Sequence, residues 1–300
     1  RYLEFSGYDV LQVMNITDID DKTIRRSIEE KMSLEDFTDK YTSSFFEDVE
    51  TLQIIPAHHY PRATEFIPQM IETIQQLEKK GFTYATEDGS VFFKIAQFPD
   101  YGKLANLNPD QLKSGDRVED DEYGKEEGRD FALWKGYKPQ DGEVKWDSPW
   151  GEGRPGWHIE CSVMSTYYLS NHFDIHCGGV DNIFPHHENE IAQSCAASGE
   201  AFVNYWLHNE HLLVEGQKMS KSMGNFYTLR DLLEKGCSPE ALRYTLISTH
   251  YRSKLNFTFE KVKAAQKCIN KLRELKRRLK KIENDGEEKS LSSETEDMLS

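Results

Sequence analysis

Apolar positions recur at two periods along the chain, and the changes between them predict its elements. Residues 8–16 (YDVLQVMNI) form an apolar, β-branched run led in by Gly7, which predicts a buried strand. Thr17, Asp18, Asp20 and Asp21 follow, and helical patterning runs from Lys22 to about Leu52, with Asp18 or Asp20 as its N-cap. The DxDD run could instead hold a cation, but it lacks the glycine and spacing of a calcium loop, so capping is the expected role. A second helical stretch from Arg62 to Lys80 carries Phe66, Ile67, Met70, Ile71, Ile74 and Leu77 as a core-facing stripe, and Gly81 ends it.

The texture changes between Phe82 and Trp150. TYATEDGSVFFKI reads as a hairpin turning at Asp88-Gly89, Ser114 to Arg129 as an acidic loop, and FALWKGY and EVKWDSPW as short strands. Together they predict a segment inserted between two parts of a larger α/β domain. Gly151, Gly153 and Gly156 spell GxGxxG, but no strand precedes them, so a dinucleotide fingerprint is not expected. Asn189 to Ser198 is expected to be helical, and AFVNYWLHNEHLLVEG reads as strand, turn, strand. Residues 228–250 predict two helices, the second starting at Pro239. From Lys261, apolar residues at spacings of three and four (Val262, Ala265, Ile269, Leu272, Leu275, Leu279, Ile282) predict one long amphipathic helix. Beyond Glu283 the chain is polar, with the texture of a linker.

Composition narrows the class. A hydrophobic fraction of 37% and a charged fraction of 30% suit a polar globular protein. No apolar run nears the ~18 residues needed to span a bilayer, no secretory leader opens the sequence, and no membrane partner is expected. Cys161, Cys177, Cys195, Cys237 and Cys268 are odd in number and widely spaced, which predicts free thiols in a reducing, cytoplasmic setting. The net charge of −15 argues against a nucleic-acid partner, yet Lys261 to Lys281 holds ten Lys or Arg residues against the single acid Glu274. Phosphate binding follows the local field, so this basic helix on an acidic body is a candidate RNA contact.

The candidate chemistry is concentrated between Gly156 and Glu190, which hold five of the ten histidines. Pro185 suits the first turn of a helix, and a helix starting there would set His186 and Glu190 one turn apart on one face. With Cys161 they offer thiolate, imidazole and carboxylate, a reasonable set for zinc, although polar residues in a first turn often serve only as caps. Lys218-Met219-Ser220-Lys221-Ser222 offers two ammonium groups and two hydroxyls beside Gly224. That set suits phosphate, but the same composition also describes an ordinary solvated loop.

Taken together, NITDIDDK (15–22), RPGWHIECS (154–162), NHFDIHCGG (171–179), FPHHENEIAQS (184–194), KMSKSMGNF (218–226) and HYRSKLNF (250–257) resemble the cysteinyl-tRNA synthetases, which are class I aminoacyl-tRNA synthetases. KMSKS alone indicates the class; GWHIECS with FPHHENE is more specific. The resemblance implies an α/β fold: a Rossmann-type catalytic domain with a parallel sheet, an inserted segment and a C-terminal helical region. The expected division is 1–81 and 151–225 for the two catalytic halves, 82–150 for the insert, 226–260 for a stem-contact region and 261–300 for the start of a helical anticodon-binding domain.

The resemblance also implies ATP-dependent activation of L-cysteine and its transfer to tRNA(Cys), by a protein expected to be monomeric. One zinc per chain would be held by Cys161, His186 and Glu190; a further cysteine ligand and the HIGH signature are expected upstream of Arg1. Trp157 and His176 would line the cysteine pocket with Thr17 nearby. Gly178, Gly179 and Asp181 would approach the ATP ribose and adenine, and Lys218 and Lys221 would face its phosphates, with magnesium accompanying ATP. A ligase joining cysteine to an amino sugar shares the zinc chemistry, and a non-catalytic, zinc-stabilised RNA-binding protein is a further alternative. The intact KMSKS and the basic helix favour tRNA.

Overall fold

The computed structural model describes residues 1–107 and 130–284, so the expected acidic loop at 114–129 and the polar segment beyond residue 284 lie outside the described residues. The chain divides into two compact units, residues 1–210 and 211–300. No helix among the described residues is long and apolar enough to cross a membrane.

In the first unit, α1 (Tyr2–Phe5) leads into a segment that departs from its expected form. Residues 8–16 make only isolated parallel bridges, Val13 to His59 and Ile16 to Arg62, while Tyr8 and Leu11 are exposed. Among the described residues this run is bridged on one side only, and none of residues 8–16 is buried.

Helix α2 (Asp21–Glu30) starts with a capping box: the Asp20 carboxylate accepts from Thr23 N, and Thr23 Oγ1 accepts from Asp20 N. The helical stretch expected to continue to Leu52 breaks at Lys31, which takes a left-handed conformation (φ 56°). Ser33 then caps α3 (Leu34–Thr51). The acids of DxDD thus take separate structural roles. Asp18 accepts from Thr64 N and Oγ1, Asp20 caps, and Asp21 pairs with Lys135 and Arg154.

Helix α4 (Ile67–Lys79) buries Ile67, Met70, Ile74 and Leu77, as its stripe predicts. The hairpin is β1 (Thr83–Ala85) and β2 (Val91–Phe93), followed by β3 (Phe131–Gly136) and β4 (Gly153–Pro155) in one antiparallel sheet ordered β1-β2-β3-β4. The expected strand in EVKWDSPW reduces to a bridge between Trp146 and Gly153. The GxGxxG glycines serve this sheet. A Cβ on Gly156 would lie 2.0 Å from Ala132 O, and one on Gly153 would lie 2.3 Å from Lys135 O.

Helix α5 (Trp157–Leu169) and helix α6 (Glu188–Ser198) lie on the same core as α4 and this sheet. Ile159, Val163 and Met164 meet Ala192, Ala196, Phe93, Phe131 and Leu133 there. Between the helices runs β5 (Phe173–Gly179), paired in parallel with β6 (Val203–Asn209). This parallel pair and the helices beside it position the candidate site.

The second unit begins with β7 (Leu212–Val214), which pairs with β8 (Gln217–Lys218) and, in parallel, with β9 (Leu255–Phe257). The strand, turn, strand expected over 201–216 is therefore two strands of different sheets, because β6 pairs with β5. Helices α7 (Leu229–Glu234) and α8 (Pro239–Ile247) follow, the second capped by Ser238 with Pro239 in its first turn. The long helix α9 (Phe259–Asn284) buries Val262 and Ala265, while Leu272, Leu275, Leu279 and Ile282 are exposed.

Candidate metal centre and phosphate loop

Cys161 sits one turn into α5, a helix whose N-terminus is set by the tight approach of Gly156 to β3. Phe184 is extended (φ −136°, ψ 131°), as a residue before proline prefers, and helical backbone resumes beyond it toward α6. His186 and Glu190 consequently lie on one face, with His186 Nε2 3.1 Å from Glu190 Oε1. Ligand atoms of Cys161, His186 and Glu190 all lie within 4.8 Å of one another.

The fit to a metal can be judged from Glu190. It is fully buried, and neither carboxylate oxygen has an aligned hydrogen-bond donor; His186 sits at ion-pairing distance only. A bare carboxylate in such surroundings requires a compensating cation. Burial opposes its charge, yet the imidazoles of His176 and His186 hold its carboxyl below the usual range. Burial, reinforced by Glu190 and Glu160, pushes the Cys161 thiol well above its ordinary value, so a thiolate there also calls for a positive partner. A soft sulfur, an imidazole and a carboxylate form a donor set that suits zinc.

The wall of the site is aromatic. Trp157 stacks on His186 with ring centroids 4.1 Å apart, and His176 on β5 faces Trp206 on β6 at 4.7 Å. His176 Nε2 lies 3.6 Å from the second oxygen of Glu190. Trp157 and His176 therefore border the Cys161–His186–Glu190 cluster. Thr17 does not join these contacts: it is exposed, and its hydroxyl accepts from Asn15. Gly178 and Gly179 end β5, and a Cβ on Gly178 would fall 2.5 Å from His187 Cε1. Asp181 is exposed in the turn that follows.

Three histidines to which the sequence pattern gave no role complete the cluster. His158 and His186 face each other through their Nδ1 atoms at 2.9 Å, and His187 Nδ1 lies 2.8 Å from His208 Nε2. Burial pushes His187 down to about 3, which keeps its ring neutral. The doubled histidine of PHHENE pointed toward His187. His208 becomes legible only once β6 is registered on β5, which places it beside Gly178 and two residues beyond Trp206.

In the second unit, Lys218 and Lys221 are both exposed. Asn225 pins the loop between them: its Oδ1 accepts from Ser220 N at 2.9 Å and its Nδ2 donates to Lys218 O at 3.1 Å. The Ser220 and Ser222 hydroxyls lie 3.2 Å apart, and Lys221 Nζ sits over the Phe226 ring. The result is a braced turn that carries two exposed ammonium groups, suited to an anionic ligand.

Residues 1–267 match the family described as tRNA synthetases class I (C) catalytic domain. The chain belongs to that family, the cysteinyl class I synthetases. It is 60% identical over 286 residues to a cysteine–tRNA ligase of Brachyspira hyodysenteriae, covering 95% of the chain and 60% of that protein. A cysteine–tRNA ligase of Chlamydia muridarum is 55% identical over 280 residues, covering 93% and 59%. The chain thus spans about 60% of the length of the curated relatives it matches. Among solved structures, methionyl-tRNA synthetase of Mycobacterium tuberculosis in complex with methionyl-adenylate superposes with a TM-score of 0.65 at 15% identity, covering 88% of this chain and 61% of that one. That likeness shows the Rossmann-type class I fold.

Proposed function

We propose that the protein activates L-cysteine with ATP to cysteinyl-adenylate and transfers the cysteinyl group to tRNA(Cys). The observation that carries this reading is the convergence of Cys161, His186 and Glu190 within 4.8 Å, bordered by Trp157 and His176, in a chain of this family. Cysteine and serine are near-isosteres that shape separates poorly. Zinc, when bound, would supply a soft Lewis acid that prefers a thiolate to a hydroxyl. Cys161, His186 and Glu190 are the residues that would hold it, and Trp157 and His176 would border the cysteine side chain, with Thr17 near the amino acid.

The cysteine carboxylate attacks the α-phosphate of ATP and pyrophosphate leaves. The terminal ribose hydroxyl of the tRNA then takes the acyl group and releases AMP. Such transfers depend on positioning and charge stabilisation more than on covalent help. Lys218 and Lys221 supply that charge to the leaving phosphates, with magnesium bound to ATP, from a loop whose shape Asn225 maintains. Gly178 and Gly179 let the nucleotide approach the backbone at the end of β5, where open α/β sheets bind ligands, and Asp181 accepts from the ribose hydroxyls. Residues 82–150 are the insert between the catalytic halves 1–81 and 151–225, residues 226–260 contact the tRNA stem, and 261–300 begin the anticodon-binding domain. The free cysteines among the described residues support a cytoplasmic setting.

Cysteine-dependent exchange of labelled pyrophosphate into ATP, followed by charging of tRNA, tests this reading on the full-length, zinc-loaded protein. Both activities are expected. Absence of exchange overturns the enzymatic reading, and exchange without charging points to the amino-sugar acceptor instead.

A further inference from the structure

His186 stands on an irregular turn just ahead of α6. Glu188 N donates both to Pro185 O and to Ile183 O, five residues earlier, across the extended backbone of Phe184. No side chain caps this turn or the start of α6. Such π-type turns are rare and occur mostly at functional sites, so the placement of His186 is left to contacts from outside the helix.

Those contacts come from residues 101–105, in the stretch between β2 and β3. Glu188 is wholly buried; its Oε1 accepts from Gly102 N at 2.7 Å and its Oε2 from Ala105 N at 3.1 Å. The amides of Lys103 and Leu104 add to these two. Gly102 is left-handed (φ 90°), which turns successive N–H groups toward one point, and a nest of that kind receives an anion. Beside the nest, the Tyr101 hydroxyl donates to Asn189 Oδ1 at 2.6 Å, and its ring meets Phe184 edge-on with centroids 6.4 Å apart. The loop thus grips residues 184, 188 and 189, which bracket His186 and lead directly to Glu190.

We propose that Glu188 is a positioning residue for the metal centre: through it, the loop at 101–105 holds the turn carrying His186 and Glu190 in the arrangement that binds zinc. The inference rests on the Cys161–His186–Glu190 centre described above. The two acids of HHENE have opposite surroundings. Both oxygens of Glu188 are taken by loop amides, whereas neither oxygen of Glu190 has an aligned donor, so one acid fixes the turn and the other is left for the cation. Coupling of this kind is reciprocal. A loop that raises zinc affinity must itself be stabilised by zinc to the same extent, which a loop serving only general stability is not.

Two measurements on the full-length protein test this: zinc affinity by competition with a chromophoric chelator, and hydrogen exchange of residues 101–105 with and without zinc. In wild type, zinc is expected to slow exchange of the Gly102 and Ala105 amides. Glu188→Gln keeps the volume but turns an NH2 group against the loop N–H donors. It is expected to lower zinc affinity about 10-fold or more, the scale of losing an orienting partner, and to abolish the zinc-dependent protection. Tyr101→Phe shifts both readouts the same way by less. Ser33→Ala, which removes the N-cap of α3 and destabilises the same unit, leaves zinc affinity unchanged. If far-UV circular dichroism shows Glu188→Gln misfolded, Tyr101→Phe and the wild-type exchange carry the test. Unchanged zinc affinity in the folded variants, an equal loss in Ser33→Ala, or loop exchange indifferent to zinc overturns the proposal. A wild type that binds no zinc removes the metal centre itself, and the proposal with it.

Discussion

At the scale of single residues, the site turns on which atoms sulfur and oxygen place against a buried carboxylate. Cys161 gives the metal centre its soft donor, and serine in its place would offer a hydroxyl that stays protonated and binds zinc weakly. Cys161→Ser is therefore expected to lower zinc affinity by more than the about 10–100-fold that loss of a merely orienting partner costs. Competition with a chromophoric chelator measures this, and unchanged affinity would remove Cys161 from the metal centre. The spacing of His186 and Glu190 was legible because a helix of 3.6 residues per turn puts positions four apart on one face. The partners His158 and His208 were not, because each reaches from another element, α5 and β6, to the histidines just ahead of α6, a packing that no local pattern specifies.

At the scale of elements, the antiparallel sheet is tied to α2 through charge. The side chains of Lys135 on β3 and Arg154 on β4 are almost wholly buried, and both pair with Asp21 in the first turn of α2. Burial opposes the Asp21 charge, but the two cations outweigh it and hold its carboxyl below the usual range. A depressed carboxyl stabilises the fold above the unfolded-state value, about 4, and loses that contribution as the pH falls through its folded value. Asp21 is half exposed, so solvent screening limits the effect. Asp21→Asn should cost about 1–2 kcal/mol at neutral pH. The gap between wild type and variant should close as the pH falls below about 4. Denaturant unfolding over a series from pH 7 downward checks both statements, and a gap that does not narrow as the pH falls below about 4 would exclude the ion pairs as its source. Elements whose stability is local were legible in this way: the stripe of α4, the Asp88-Gly89 turn and the proline start of α8. Residues 8–16 were misread because burial is set by the neighbouring elements, whereas the strand, turn, strand over 201–216 holds and only its division between two sheets was not legible. A run of apolar residues does not carry that information.

At the scale of the whole molecule, positive charge is concentrated in one helix of an acidic chain. The chain carries −15, yet every Lys and Arg between residues 261 and 281 is exposed on α9. That helix has 26 residues and is about 39 Å long at 1.5 Å per residue, enough to follow several phosphates. Its positive charge is little spent internally: among the described residues, Glu274 pairs with Arg277 and Arg278, and Arg273 pairs with Glu240, while the lysines of the helix form no ion pair. If α9 meets the tRNA backbone as proposed, Lys271, Lys276 and Lys280 are free to displace counterions. Replacing all three with glutamine should weaken tRNA binding most at low salt and lower the slope of log K against log salt by about one for each phosphate no longer neutralised. Thermal unfolding should change little, because exposed substitutions away from caps and networks usually fall within about 0.5 kcal/mol. Fluorescence anisotropy of labelled tRNA across a salt series measures the slope. An unchanged slope with weaker binding would assign the loss to something other than phosphate neutralisation. An unchanged affinity would take α9 out of the RNA surface and leave its exposed Leu272, Leu275 and Leu279 as the face to explain.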